Sequence, residues 1–249
     1  MKYFLHLAYN GLKYHGWQRQ EKVSSIQATI EDDLRKMFHP KLTIHGCGRT
    51  DAGVHATNYF AHFITEKEIT VDLVYKLNRM LPNDIVIKYL LPVTEKANAQ
   101  LDAISRTYDY HIHLTKNPFL VGKSACYDTL ELDLAKMEKA TTLFSNYTNF
   151  YHFCLQPDLH NHTNCQLSVS NMFMDVKNNR IRFQFKADRF LRGMIRITVG
   201  RILDVGRGQV SLAELEQSLQ LKQPNRYMSQ AYPQGLYLTD VEYPKHIFL

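Results

Sequence analysis

The sequence holds only four cysteines, Cys47, Cys126, Cys154 and Cys165, and no C-x-x-C pair. That excludes a disulfide-framed secreted domain and leaves reduced thiols of a cytoplasmic protein as the expectation. Long apolar runs are also missing. The N-terminal run spans residues 3–9, is broken by His6 and is closed by Asn10-Gly11, whereas a membrane helix needs about 20 apolar residues. Neither a signal peptide nor a membrane partner is expected. Low-complexity stretches, heptads and short repeats are absent. What remains is an ordinary globular balance over 249 residues, 45% hydrophobic and 22% charged. A chain of this length can hold a core without metal or cross-link.

Thirty Lys and Arg against 24 Asp and Glu give a net charge of +6, and the excess is local. Residues 177–207 contain nine basic side chains, seven of them arginine, opposed only by Asp188 and Asp204. The surplus of this segment exceeds that of the whole chain, so the remainder is near neutral. A concentrated basic surface is the electrostatic footprint of a polyphosphate partner, and arginine's planar fork suits phosphate.

Apolar patterning shows an internal echo of β-α-β-β-α-β. The first half opens with a strand at 3–9. A capping box at Ser24 and Gln27 then starts a helix carrying Ile26, Ile30, Leu34 and Phe38, stopped by Pro40. Strands at 42–47 and 57–64 follow, then a helix capped by Thr70 and a strand at 85–91. The second half has a strand at 107–114, a helix opened by Asp133, and a hairpin of 166–176 and 180–186 around Asn178-Asn179. A helix over 190–203, a capping box at Ser211 and Glu214, and a strand at 236–241 close it. Two split βαβ units predict an α+β fold with ferredoxin-like halves, 1–100 and 101–249. The halves would form an extended antiparallel sheet with helices on one face and a central active-site cleft.

Gly46-Cys47-Gly48-Arg49-Thr50-Asp51-Ala52-Gly53-Val54-His55 is the most unusual local sequence. Gly48 and Gly53 have phosphate-loop spacing, but Val54-His55 stands where such a loop needs Lys-Ser/Thr. What the loop does hold is one carboxylate, Asp51, two residues from the Arg49 cation. Such a carboxylate can serve as nucleophile or general base, or simply cap a tight turn. On the expected 190–203 helix, Arg189, Arg192 and Arg196 share a face, fitting either a phosphate clamp or an amphipathic surface. Tyr108 and Tyr110 share a strand face with Arg106, as a base-stacking platform or as core. Trp17 lies in a loop that either contacts RNA or closes the sheet end. His152, Cys154, His160, His162 and Cys165 match no zinc spacing, so no metal is expected.

With these residues laid out, the segment 48–55 resembles the active-site motif of the tRNA pseudouridine synthase A family. The likeness runs on through Tyr14-His15-Gly16-Trp17-Gln18-Arg19-Gln20, Leu81-Pro82-x-Asp84-Ile85, Arg106-x-Tyr108-x-Tyr110, the 190–200 segment and Gly235-Leu236-Tyr237-Leu238. It implies uridine isomerisation in the tRNA anticodon stem-loop by a homodimer without cofactor. It also implies that Asp51 is the essential carboxylate, Tyr108 stacks on the target base, and Arg196 pairs with Asp51. Arg49 would fill the place of the flipped base; holding the RNA backbone by Arg189 and Arg192 is the phosphate-clamp reading of the arginine row. Where the family usually shows Phe-His-Ala-Arg, this chain has Ala97-Asn98-Ala99-Gln100, and Asn149 replaces a usual acidic residue; a basic RNA contact is thereby lost. The alternatives are an RNA-binding or chaperone paralogue without turnover, and a glycosidase-like enzyme acting on small nucleosides.

Overall fold

A computed structural model describes residues 1–66, 69, 72–128, 131–220 and 229–249. Among these, nine strands and five α-helices make a mixed α+β architecture, as the patterning predicts. No helix among them is long and apolar enough to cross a membrane. The chain forms two compact units, Met1–Ser105 with Tyr237–Leu249, and Arg106–Leu236.

The first unit contains β1 (Lys2–Tyr9), α1 (Ile26–Met37), β2 (His45–Gly46), β3 (His55–Ile64), α2 (Leu73–Met80) and β4 (Ile85–Val93). β1 pairs antiparallel with both β3 and β4, and β2 pairs antiparallel with β3. Alternation along β1 sends Tyr3, Leu5, Leu7 and Tyr9 into the core. The helices cover that face: Asn78 of α2 bonds both backbone polar groups of Ile87 at 2.8 Å, and Phe38 beyond α1 packs on Phe63. Ile26, Ile30 and Leu34 are fully buried, so the four-residue spacing read in the sequence is the core face of α1.

The second unit contains β5 (Ser105–His113, from Arg106 on), β6 (Ala125–Cys126), α3 (Leu134–Leu143), β7 (Leu167–Asp175), β8 (Arg180–Ala187), α4 (Met194–Gly206) and α5 (Leu212–Gln220). β8 pairs antiparallel with β5 and β7, while β6 pairs parallel with β5. The hairpin forms as expected, with Asn179 at φ 50°, and the Ser211/Glu214 capping box is present in both directions.

Four expectations need correction. The cap of α1 is Ser25, whose Oγ accepts the Ala28 N–H, while Ser24 donates to the Lys13 carbonyl. The strand expected at 42–47 shrinks to His45–Gly46. Thr70 lies outside the described residues, and α2 begins after Asp72 without a side-chain capping bond. The final strand β9 (Leu236–Glu242) does not close the second half. From Tyr237 on it belongs to the first unit, running parallel to β3 through His55↔Tyr237 and Ala56↔Leu238. The division at 100/101 therefore becomes one at 105/106 with a returning C-terminal segment.

Candidate active site

Asp51 lies on the loop that enters β3, and the loop is pinned on several sides. Cys47 N–H donates to the Phe60 carbonyl at 2.7 Å, Trp17 N–H to the Thr50 carbonyl at 3.2 Å, and Gly53 N–H to the Tyr14 carbonyl at 3.2 Å. Two tyrosines reach in from the sheet. Tyr9 and Thr50 hydroxyls bond at 2.8 Å, and the Tyr59 hydroxyl donates to the Gly48 carbonyl. Tyr59 stacks on Trp17 with ring centroids 4.1 Å apart, and Trp17 is 2% exposed. Of the two readings of the Trp17 loop, the structure therefore supports closing of the sheet end.

The glycines have geometric reasons. Val54 N–H bonds the Asp51 carbonyl at 3.2 Å, closing a turn in which Gly53 has φ +77°. Gly16 has φ +84°, and a Cβ there would stand 2.3 Å from the Thr50 carbonyl oxygen. Both positions are in the left-handed region that favours glycine. Asp51 is half-buried at the first corner of this turn, which its backbone carbonyl closes, and Arg49 is exposed. His55 anchors the far end: its Nδ1 accepts the Gly11 N–H at 3.1 Å and its ring stacks on Tyr237 at 4.5 Å. Burial pushes the Tyr237 hydroxyl up to about 12.

Glu31, buried on α1, ties the neighbouring segments together. Its carboxylate accepts from Arg19 Nε at 2.6 Å, Gln27 Nε2 at 3.0 Å, Ile44 N–H at 3.0 Å and Arg35 Nη2 at 3.3 Å. Neither Glu31 nor the packing of Tyr9 and Tyr59 against Trp17 stood out in the sequence. The available signal was alternation, since Tyr9 and Tyr59 occupy core-facing strand positions beside a glycine loop.

The remaining expected site residues lie in the second unit. Tyr108 is 8% exposed on β5 and meets Phe190 edge-on at 5.1 Å. Arg106 donates to the Asp188 carbonyl at 3.3 Å, so the segment 188–190 lies along the start of β5. Tyr110 is fully buried, donates to the Tyr232 carbonyl at 2.7 Å, and has its pKa raised chiefly by burial. Tyr110 is thus core, and Tyr108 is buried as well, with Phe190 against its ring.

The arginine row does not form. Gly193, at φ +71°, starts α4 at Met194, so Arg189 and Arg192 precede the helix and only Arg196 is on it. Arg189 contacts His162 Nε2 at 3.0 Å, Arg192 donates to Gln156 Oε1 at 3.1 Å, and Arg196 Nε donates to the Ala231 carbonyl at 2.8 Å. Apart from Arg196, α4 is buried along its length rather than amphipathic. Burial pushes the Cys154 and Cys165 thiols up to about 11 and about 12. A cavity of about 610 Å³ between Phe38, His45 and Glu66 lies at the other end of β3 and contains none of the expected site residues.

The chain matches the model of the tRNA pseudouridine synthase family over residues 7–97 and 147–244. The tRNA pseudouridine synthase A of Azobacteroides pseudotrichonymphae genomovar. CFP2 is 39% identical, with 99% of this chain and 98% of that protein covered. The proteins of the same name from Porphyromonas gingivalis and Thermodesulfovibrio yellowstonii are 36% and 35% identical, covering 100% and 95% of this chain and 99% and 97% of their own lengths. With the family motif standing on the pinned loop at the head of β3, the chain belongs to the tRNA pseudouridine synthase family.

Proposed function

We propose that this protein is an isomerase converting uridine to pseudouridine in the anticodon stem-loop of tRNA, acting in the cytoplasm as a homodimer and without a cofactor. The observation that carries this reading is the 48–55 motif, displayed with Asp51 on a loop held from β1 and β3. The reaction is balanced within the substrate. The N1–C1′ bond breaks, a C5–C1′ bond forms, C5 loses its proton and N1 gains one, so no oxidant or energy source is consumed.

Asp51 acts at the ribose, where a carboxylate either attacks C1′ or removes a sugar proton. The target base must leave its stack to be rotated. Tyr108 supplies a ring for it, Arg196 a cation at the reacting centre, and Arg49 a planar group to occupy the vacated place in the RNA. Arg189 and Arg192 hold the phosphate backbone. The reading is supported by the family membership and by the chemistry these side chains allow.

The test uses unmodified tRNA transcript and carbodiimide mapping, because isomerisation leaves mass unchanged. The wild-type protein is expected to form pseudouridine, and Asp51→Asn to form none while binding tRNA nearly as tightly. Full turnover by Asp51→Asn would overturn the role of Asp51. Tight binding without product by the wild type would identify an RNA-binding paralogue instead.

A further inference from the structure

The helices of the first unit cover one face of its sheet, and the opposite face carries a column of three planar rings. His6 of β1 is paired directly with Phe60 of β3 and Tyr89 of β4. The His6 and Phe60 rings stack at 4.5 Å with 6° between planes, and His6 and Tyr89 at 5.7 Å with 21°. One end of the column is closed, because Tyr243 packs edge-on against Phe60 at 5.2 Å. The other end is open: Tyr89 is 62% exposed on an outer strand of the sheet.

The polar surroundings hold the column in place. Asn58 Oδ1 lies 3.0 Å from His6 Nε2 and accepts from Lys88 Nζ at 2.9 Å, while Asn58 Nδ2 donates to the Thr239 carbonyl at 2.7 Å. Lys88 also donates to the Thr57 carbonyl at 2.6 Å, which fixes its ammonium at Asn58, the partner of His6. Burial lowers the pKa of His6, which favours a neutral ring within the stack. A core explanation does not account for Tyr89, whose ring is mostly in solvent.

From these observations we infer that Tyr89 is a stacking platform for an unpaired nucleobase of the RNA substrate, a binding site separate from the Asp51 loop. Exposed aromatic rings on a sheet face are a recurrent way of holding single-stranded bases, and the Lys88 ammonium near His6 suits the phosphate that accompanies each base. His6 lies three residues before Tyr9 on β1, and Tyr9 bonds to Thr50 of the loop. The backbone of His6 is thus about 10 Å along β1 from that of Tyr9, with Tyr89 one strand further out, on the face opposite the Tyr9 side chain. This inference rests on the proposed RNA substrate.

The experiment measures Kd, KM and kcat for unmodified tRNA transcript with wild-type protein, Tyr89→Ala, Tyr89→Phe and Tyr89→Trp, at two salt concentrations. Loss of the ring is expected to raise Kd and KM about fivefold or more, with kcat and the salt dependence unchanged, because stacking neutralises no phosphate. Phe should behave as the wild type and Trp should bind at least as well. Wild-type binding by Tyr89→Ala, in a protein that makes pseudouridine, would overturn the platform and leave the function intact. So would an equal loss in Tyr89→Phe, or a binding defect that tracks a change in sedimentation, which would mark this face as an interface between copies. A wild-type protein that neither binds nor isomerises tRNA would remove the functional reading and this inference with it.

Discussion

His62 has one ring nitrogen committed, since its Nδ1 accepts the Ala99 N–H at 3.1 Å and the side chain is 6% exposed. Burial is the main cause that lowers its pKa from 6.5 to about 4; Lys2 and His45 add to the shift and Asp102 opposes it. Below pH 6.5 the unfolded chain therefore takes up a proton that the folded chain refuses. Stability contributed by the neutral ring is complete above pH 6.5 and is lost as pH falls toward 4. After allowance for solvent screening the loss is roughly 1–2 kcal/mol. Denaturant midpoints at pH 7 and pH 4.5 should fall further apart in the wild type than in His62→Gln. At this scale the sequence was readable where chemistry is unusual and silent where it is common. Asp51 stood out because glycines surround it, whereas Tyr59 is one of 15 tyrosines and its bond to Gly48 depends on cross-strand placement.

Glu31 links elements rather than residues, since its four donors come from the 16–20 loop, α1 and the segment entering β2. Removing a buried acceptor leaves Ile44 N–H and two guanidinium groups short of a partner, one of which, Arg19, keeps Asp32 at 2.5 Å. Glu31→Ala is expected to destabilise the protein by about 3 kcal/mol, read as a lower denaturant midpoint at unchanged slope. A shift within measurement error would mean that water replaces the carboxylate. Helices with a one-sided stripe, such as α1, were legible, and so were caps with a fixed offset, such as Ser211/Glu214. The start of α4 was not. Its apolar run extends back through Phe190 and Leu191, and only the backbone reveals that Gly193 takes a left-handed conformation and stops the helix there.

For the molecule as a whole, the basic segment 177–207 is distributed rather than gathered. Arg182 pairs with Asp109 at 3.0 Å and lies 4.3 Å over Phe173, while Arg201 and Arg207 approach Asp204 at 3.6 and 3.9 Å. Arg189 and Arg192 sit outside this set and contact His162 and Gln156. Replacing both with alanine should weaken tRNA binding similarly for all sequences and lower the slope of log K against log salt by about one per residue. An unchanged slope would remove them from the RNA backbone contact. Charge could be counted from the sequence, but which arginines are spent on internal acids depends on tertiary neighbours far along the chain.

The return of β9 makes the first unit discontinuous. A ribosome finishes all the residues of the second unit before it makes those that lie beside His55 in the first. The earlier-made segment must wait, with the start of β3 unpaired on one flank, until Tyr237 and Leu238 have been made, while the later-made unit can complete its own packing first. Loss of residues 237–249 would therefore damage the unit that carries the Asp51 loop rather than the unit that immediately precedes them in the chain.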